Sequence, residues 1–169
     1  AMSTFLKDVL HRINNGLGKS EEEYYQAIAK TFLVSCDNAH ALHPNHSEKT
    51  DAVNYVTMNG GIVIKESANQ KYTTDAFSRA LFTGICQNVN VPVQSFANRS
   101  DVVGGSTLGN LSNTQVSVHA VDFGLAQLAM HSCFETAGVK DTEYAIVALK
   151  EFYETNVQIE EAESVCLEK

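Results

Sequence analysis

The segment TFLVSCD (residues 31–37) is a short run of apolar and β-forming residues that ends in an acidic side chain. Such a run is typical of a buried strand. A helix is predicted just before it, because Ser20 and Glu23 have the spacing of a capping box ahead of an apolar face. The region therefore predicts a helix followed by a buried strand, with Asp37 at or just past the carboxyl end of that strand.

The same alternation of helix and strand patterns continues along the chain. The later predicted strands are GIVIKE (61–66), VPVQSFAN (91–98) and QVSVHAVDFG (115–124). The other predicted helices have apolar residues at helical spacing and lie near residues 5–13, 75–85 and 141–153. We predict that Asp141 caps the last of them. Alternating elements of this kind favour an α/β sandwich with a partly parallel sheet.

The chain has 169 residues, which suits a single domain with a substantial core. Residues 1–3 have the character of a tag remnant, and a helix pattern follows them at once. The residues from about 158 to 169 are acidic and weakly patterned, so a tail is predicted there. The abrupt start suggests that the chain is a piece of a longer protein.

Composition narrows the class of partner. The net charge is −8 and the isoelectric point is about 5.1, which argues against binding to nucleic acid or to anionic membrane surfaces. No apolar run in the sequence approaches the roughly 20 residues that cross a bilayer. The four cysteines have no CxxC spacing, so reduced thiols in a cytoplasmic protein are expected.

Two residues have the position and chemistry of zinc ligands. In α/β sheets, binding residues tend to follow the carboxyl ends of strands, and Asp37 and His131 are both predicted at such places. The alternative is a turn residue and a structural histidine. His40, His43 and His46 are spaced for one helical face, but Pro44 favours a polar loop over a metal site with three histidines.

Two further features suit an anionic ligand. Lys65 ends an apolar strand, so its ammonium could lie near a cleft, although most lysines are simply surface residues. The segment GGSTLGN (104–110) would let backbone amides approach an anion, or it is a tight turn whose glycines need a positive φ. It is neither a Walker A motif nor a nucleophile elbow.

Four stretches belong together. They are SCDNAHALHPNH (35–46), NGGIVIKESANQKYTTDAFSRALF (59–82), NRSDVVGGSTLGN (98–110) and VDFGLAQLAMHSCFETAGVKDTEYAIVALKEFYE (121–154). Together they resemble the C-terminal part of the catalytic domain in the aspartyl aminopeptidase family of di-zinc metallopeptidases. The resemblance covers about residues 4–155. It implies a partial three-layer α/β sandwich of the zinc-dependent exopeptidase type, with a mixed, largely parallel sheet flanked by helices.

The resemblance also implies roles for individual residues. Asp37 would be a terminal carboxylate ligand of one zinc ion, and His131 a ligand of the other. Lys65 would help to bind an acidic substrate side chain. The remaining residues implied to line the substrate cleft are His40, Tyr72, Gly105 and Ser106. The reaction implied is removal of N-terminal residues from peptides, and relatives assemble into dodecamers.

The family's other zinc ligands and its general-base glutamate belong upstream of residue 1. The resemblance therefore implies no catalytic residue in this chain, and the isolated chain is expected to be inactive. Some relatives accept neutral N-terminal residues, so Lys65 alone does not fix an acidic preference. Two alternatives stay open: a non-catalytic binding or assembly module of the same fold, and a single-metal protein that uses the histidines at 40–46.

Overall fold

The computed structural model describes residues 2–161 and 164–168. Its α-helices are α1 (Phe5–Gly16), α2 (Glu21–Ala29), α3 (Ala76–Asn88), α4 (Leu108–Asn113) and α5 (Val139–Glu154). Its strands are β1 (Phe32–Cys36), β2 (Ala39–His40), β3 (Ile62–Glu66), β4 (Val93–Ala97), β5 (His119–Gly124), β6 (Ala126–Leu128), β7 (Thr136–Ala137), β8 (Asn156–Glu161) and β9 (Ser164–Glu168). Within the described ranges, no helix is long and apolar enough to cross a membrane.

Local sequence signals set the starts of two helices. The Ser20 hydroxyl accepts a hydrogen bond from the Glu23 amide at 3.2 Å, and the Glu23 carboxylate accepts one from the Ser20 amide at 2.9 Å. The predicted capping box of α2 is therefore confirmed. Asp75 caps α3 in a similar way and accepts a hydrogen bond from the Ser78 amide at 2.8 Å.

The main sheet has the strand order β1-β5-β3-β4. Strand β1 is parallel to β5, and β3 is parallel to β4, whereas β3 is antiparallel to β5. A second sheet joins β2, β6 and β7. The predicted mixed α/β fold is confirmed at this level, with two of the three pairings in the main sheet parallel.

The two faces of the main sheet bury different cores. Ile62 and Ile64 of β3 pack in one core with Phe82 of α3 and Ala148 of α5. Val63 points the other way, because side chains alternate along a strand, and packs in a second core with residues of β2, β4 and β6. The candidate site lies on this second face.

Two predicted boundaries differ from the structure. Strand β5 begins at His119 and not at residue 115, because the Gln115 and Val116 amides donate to the Ser112 carbonyl in the turn that follows α4. Helix α5 begins at Val139 after Gly138, so Asp141 is not its cap. The Asp141 carboxylate instead accepts hydrogen bonds from a distant loop.

The last described residues form two regular strands in the region where the sequence predicts a tail. Strands β8 and β9 form an antiparallel hairpin where an acidic, weakly patterned tail is predicted. The hairpin packs against the first core through Val157, Val165 and Leu167. Because side chains alternate along a strand, every second residue of this face is apolar. Residues 1, 162, 163 and 169 lie outside the described residues, so the proposed tag remnant at 1–3 is described only in part.

Candidate active site

A cleft of about 720 Å³ opens on the second face of the main sheet. All the residues predicted to bind metal or substrate line it, namely Asp37, His40, Lys65, Tyr72, Gly105, Ser106 and His131. These residues come from segments up to about 90 positions apart. The fold therefore brings the predicted site residues together in one cleft.

Lys65 supplies a buried cation at the base of the cleft. Its residue is only 2% exposed, and its Nζ lies 3.4 Å from Asp37 Oδ2 and donates to the Asn38 carbonyl at 3.3 Å. The ammonium also lies 5.1 Å from the centre of the Tyr72 ring, within cation–π range. Burial lowers the pKa of Lys65, and the nearby carboxylates Asp37 and Asp122 oppose that shift.

The antiparallel pairing of β3 with β5 explains how Lys65 reaches Asp37. Ile64 pairs with Phe123, so the same register places Lys65 opposite Asp122 on the second face. Asp37 follows β1, whose last residue Cys36 also pairs with Phe123. Lys65 therefore approaches Asp37 across the face of the sheet, and not from a shared carboxyl edge as in an all-parallel sheet.

Tyr72 is positioned by two hydrogen bonds, one to its own hydroxyl and one from the backbone of the next residue. Its hydroxyl accepts a hydrogen bond from Asn98 Nδ2 at 3.0 Å, and the next residue, Thr73, donates its amide to Asp122 Oδ2 at 2.6 Å. Burial raises the pKa of Tyr72, which keeps the phenol neutral. The ring is thereby fixed against the Lys65 ammonium.

Asp37 lies where its carboxylate is available, with its side chain 47% exposed. Its amide donates to the Phe123 carbonyl at 2.9 Å. Gly124 packs directly beneath it: a Cβ at this position would overlap the Asp37 carbonyl oxygen and lie 2.7 Å from Asn38 Cα. Only glycine fits here because the two backbones touch.

Gly124→Ala is expected to destabilise the chain by about 2–3 kcal/mol, because the added methyl group meets backbone and not a movable side chain. Urea unfolding measures this loss. Gly105→Ala is the matched control, since a Cβ there has nothing within 4 Å, and a change within about 0.5 kcal/mol is expected. Equal stability of the two variants would contradict the close contact between Gly124 and Asp37.

His131 lies in the turn between β6 and β7 and is exposed. Its backbone has a φ of 68°, a left-handed conformation that non-glycine residues rarely adopt and that often marks functional sites. Its amide donates to Glu135 Oε1 at 2.6 Å, which holds the turn. Burial, and then the charges of His131 and Lys65, lower the pKa of His40, so these three groups interact across the cleft.

The glycine-rich segment forms part of the cleft wall. Gly104 packs against Asn98, since a Cβ would overlap the Asn98 Nδ2 atom, whereas Gly105 and Ser106 face the open cleft. Thr107 then caps the six-residue helix α4. The predicted tight turn with positive φ is wrong, because Gly104, Gly105 and Gly109 do not have positive φ values. Gly104 instead packs closely on Asn98, and Gly105 and Ser106 stay available as predicted substrate contacts.

The side chains of His43 and His46 make contacts within their own loop. His43 Nδ1 accepts a hydrogen bond from the Asn45 amide at 3.1 Å, and His46 Nδ1 lies 3.1 Å from Glu48 Oε1. Residues 2–161 and 164–168 contain no group of three or more His, Cys, Asp or Glu side chains arranged to hold a metal ion. This weighs against the single-metal site at 40–46.

The same finding bears on zinc at Asp37 and His131. A carboxylate and an imidazole are the right kinds of donor for zinc, and both line one cleft. Zinc sites use about four ligands, or three and a water, so two donors do not make a site. The described residues therefore fit zinc in donor chemistry but not in number.

Sequence reasoning missed two supporting residues. Asp122 is fully buried, and its Oδ2 accepts hydrogen bonds from both the amide and the hydroxyl of Thr73, at 2.6 and 2.8 Å. Asn38 accepts from the Leu125 amide at 3.0 Å and donates to Gln127. An aspartate within the apolar strand AVDFG was the available signal for Asp122, since buried carboxylates need partners.

Comparison with known proteins identifies the class. The family model described as "Aminopeptidase I zinc metalloprotease (M18)" matches residues 1–153. The chain therefore belongs to the M18 family of zinc aminopeptidases. It is 45% identical to "Probable M18 family aminopeptidase 2" of Clostridium novyi over 153 residues, which are 90% of this chain and 35% of that protein. It is 42% identical to "Aspartyl aminopeptidase 1" of Schizosaccharomyces pombe over 161 residues, 95% of this chain and 34% of that one.

Solved structures agree with this assignment. A chain in the cryo-EM structure of the Ape4 and Nbr1 complex matches with a TM-score of 0.87 and 42% identity, covering 90% of this chain and 29% of that chain. The S. cerevisiae mApe1 dodecamer matches with a TM-score of 0.64 and 26% identity, over 73% of this chain and 26% of that chain. The chain thus spans about a third of the length of the curated relatives it matches.

Proposed function

We propose that this chain supplies one side of the active site of a zinc aminopeptidase that removes N-terminal residues from peptides. The observation that carries the proposal is the Asp37–Lys65 pair, 3.4 Å apart, in a cleft that His131 also lines. We further propose that the α/β fold is part of the three-layer sandwich of zinc-dependent exopeptidases, with two zinc ions in the complete enzyme.

The two predicted zinc ligands have separate tasks. Asp37 would hold one zinc ion through its exposed carboxylate, and His131 would hold the other through its imidazole. The remaining ligands and the general-base glutamate must come from residues beyond those the structure describes. When bound, zinc polarises a substrate carbonyl and lowers the pKa of a bound water.

Lys65 would select the substrate. Its ammonium is buried, is fixed by the Asn38 carbonyl and the Tyr72 ring, and lies 3.4 Å from the half-exposed carboxylate of Asp37, with the charge of Asp122 also nearby. An acidic side chain at the substrate N-terminus would bring a further carboxylate to this cation in a site of low dielectric. Gly105 and Ser106 would contact the peptide beside it, with His40 on the opposite wall.

A hybrid enzyme tests the proposal. Residues 1–153 of this chain replace the matched third of the Clostridium novyi relative, and the parent relative is assayed in parallel. Lys65→Met in the hybrid is expected to lower kcat/KM about 100-fold for peptides with N-terminal Asp or Glu, because a buried charge pair is lost. For peptides with N-terminal Ala the expected loss is less than about fivefold, because a neutral side chain has no charge pair with Lys65 to lose.

Lys49→Met is the matched control, because Lys49 lines the same cleft but is exposed, at the end of the short 3₁₀ helix Ser47–Lys49. It should leave the acidic preference within about twofold, as expected for a screened surface charge. Equal losses on acidic and neutral peptides in the Lys65 variant would refute its role in specificity. A folded hybrid without zinc or hydrolysis, beside an active parent, would refute the proposed function.

One observation favours a second candidate, a non-catalytic binding or assembly module of the same fold. It is the lack of a three-ligand group within residues 2–161 and 164–168. Zinc analysis of the hybrid separates the two, since a module would bind none. By analogy with the mApe1 dodecamer, we propose that the complete protein is a homo-oligomer. We also propose that it acts on peptides in the cytoplasm, without nucleic-acid or membrane partners.

A further inference from the structure

Residues 43–55, here called the 43–55 loop, connect β2 to β3 and form part of the cleft wall. The loop is closed at its base, because the Leu42 amide donates to the carbonyl of the fully buried Val56 at 2.8 Å. Beyond this closure most of its residues are exposed. The loop residues that line the cleft are His43, His46, Lys49, Thr50 and Asp51.

Arg99 ties the 43–55 loop to a second part of the cleft wall. Its Nη1 donates to the Glu48 carbonyl, within the loop. In the part of the chain that the structure describes, the other hydrogen bonds of the loop are internal, such as the one that the Asn54 amide donates to Asp51 Oδ1 at 2.7 Å. The position of the loop over the cleft therefore depends on the Arg99 guanidinium.

Asp101 orients that guanidinium. Arg99 Nε donates to Asp101 Oδ1 at 2.9 Å, and Nη2 donates to Oδ2 at 2.6 Å. The planar fork of arginine forms such a paired contact and keeps a further N–H donor for Glu48, whereas a lysine ammonium lacks this geometry. Residues 102–106, which follow directly, line the cleft as well. Arg99 thus joins the loop to the glycine-rich side of the cleft.

The wall of the cleft is thin beside Arg99. A second cavity of about 780 Å³ lies behind it, and Thr50, Asp51 and Arg99 line both this cavity and the cleft. Because the same residues face open space on two sides, packing from behind cannot hold the loop in place. The hydrogen bond to the Glu48 carbonyl has to do so.

We propose that Arg99 is a positioning residue that fixes the 43–55 loop as one wall of the substrate cleft. The effect on substrate binding rests on the proposed function, whereas the tether itself does not. A loop already held in its binding conformation costs a peptide less free energy to engage than one that is ordered on binding. Arg99 therefore lowers KM, and kcat depends on other residues.

Limited trypsin digestion of the 169-residue chain tests the tether. Cleavage after Lys49, which is exposed in the loop, should be about tenfold faster in Arg99→Met, because losing a hydrogen bond from a charged donor raises the population of the open loop. Arg99→Lys should behave alike, since an ammonium cannot pair with Asp101 and also reach Glu48. Cleavage after Lys150, exposed within α5, monitors global unfolding and should not change.

Arg79→Met is the matched control. The side chains of Arg79 and Arg99 are 37% and 35% exposed, and Arg79 donates to Glu66 and Ser95, away from the loop. Its substitution should leave cleavage after Lys49 within about twofold of the unsubstituted rate. An unchanged rate in Arg99→Met, or an equal rise in both variants, would overturn the tether.

Kinetics of the hybrid enzyme test the consequence for substrate binding. Arg99→Met should raise KM for peptides with N-terminal Asp about tenfold and leave kcat within about twofold, because only the population of cleft ready to bind falls. A merely structural role would lower the amount of active enzyme, and so kcat, at an unchanged KM. Faster cleavage after Lys49 with an unchanged KM would overturn the role in binding. Faster cleavage beside a hybrid without zinc or hydrolysis would retain the tether and reject the proposed function.

Discussion

Asp37→Ala is expected to lower kcat/KM of the hybrid enzyme by more than about 100-fold on every peptide, acidic or neutral. Loss of a residue that merely orients a zinc ligand already costs about 10–100-fold, and Asp37 is proposed as a ligand itself. Zinc content should fall from about two ions per chain towards one. Both changes follow from one carboxylate that is half exposed and directed into the cleft.

The Asp37 variant also leaves Lys65 without its 3.4 Å carboxylate partner. A buried ammonium that loses its counter-ion destabilises the fold, so circular dichroism and urea unfolding must accompany the assay. Asp37→Asn separates the two effects, because it keeps a polar acceptor beside Lys65 but is a weak zinc ligand. Similar activity losses with well-folded Asp37→Asn and Asp37→Ala support a ligand role.

The double variant His43→Ala/His46→Ala is the control for the alternative metal site. Both histidines line the same cleft as Asp37 and are bonded to their own loop. We expect the variant to keep its zinc and to retain activity within about threefold, since surface substitutions away from the chemistry are mild. The reverse pattern, zinc lost with the histidines and kept without Asp37, would assign the metal to the loop.

The sequence predicted the elements better than their arrangement. Strands β1, β3 and β4 and the cap of α2 depend on neighbouring residues, so local patterns were enough to find them. The antiparallel pairing of β3 with β5 depends on contacts about 60 residues apart, which no local pattern encodes. That pairing decides how Lys65 meets Asp37.

The site residues illustrate the same division. Asp37, Lys65 and His131 were named from their predicted positions at the ends of strands, the resemblance to a family gave them roles, and the structure places them in one cleft. Gly124 and Asn98 were not named, because what makes them necessary is a contact with a distant segment. Gly124 touches Asp37 across 87 positions of sequence, and Asn98, which follows β4, donates to Tyr72 across 26 positions. Sequence patterns record the periodicity of an element but not the partner of each residue.

Asp141 does not cap α5 as predicted but joins the start of that helix to the segment that precedes β3. Asp141 is fully buried at the third position of α5, and its two carboxylate oxygens accept hydrogen bonds from the amides of Asn59 and Gly61, at 2.6 and 2.9 Å. Gly61 has a φ of 113° and leads directly into β3. The carboxylate therefore fixes the start of the strand that carries Lys65.

Asp141→Ala is expected to destabilise the chain by about 4 kcal/mol. Two hydrogen bonds to a charged group are lost, each worth about 1.5–3 kcal/mol, and the buried Gly61 amide and the part-buried Asn59 amide lose their acceptor. The favourable position of a carboxylate in the first turn of a helix is lost as well. Urea unfolding of the 169-residue chain measures the effect as a lower midpoint at an unchanged slope.

Glu143→Ala controls for the loss of an acidic residue near the start of α5, because Glu143 is exposed two residues further on. It should change stability by less than about 0.5 kcal/mol. Asp141→Asn should fall between the two, since its single carbonyl oxygen can accept from one amide while its NH₂ group faces the other. If Asp141→Ala cost no more than Glu143→Ala, the amides of Asn59 and Gly61 would have to find other acceptors, and the start of β3 would not depend on this carboxylate.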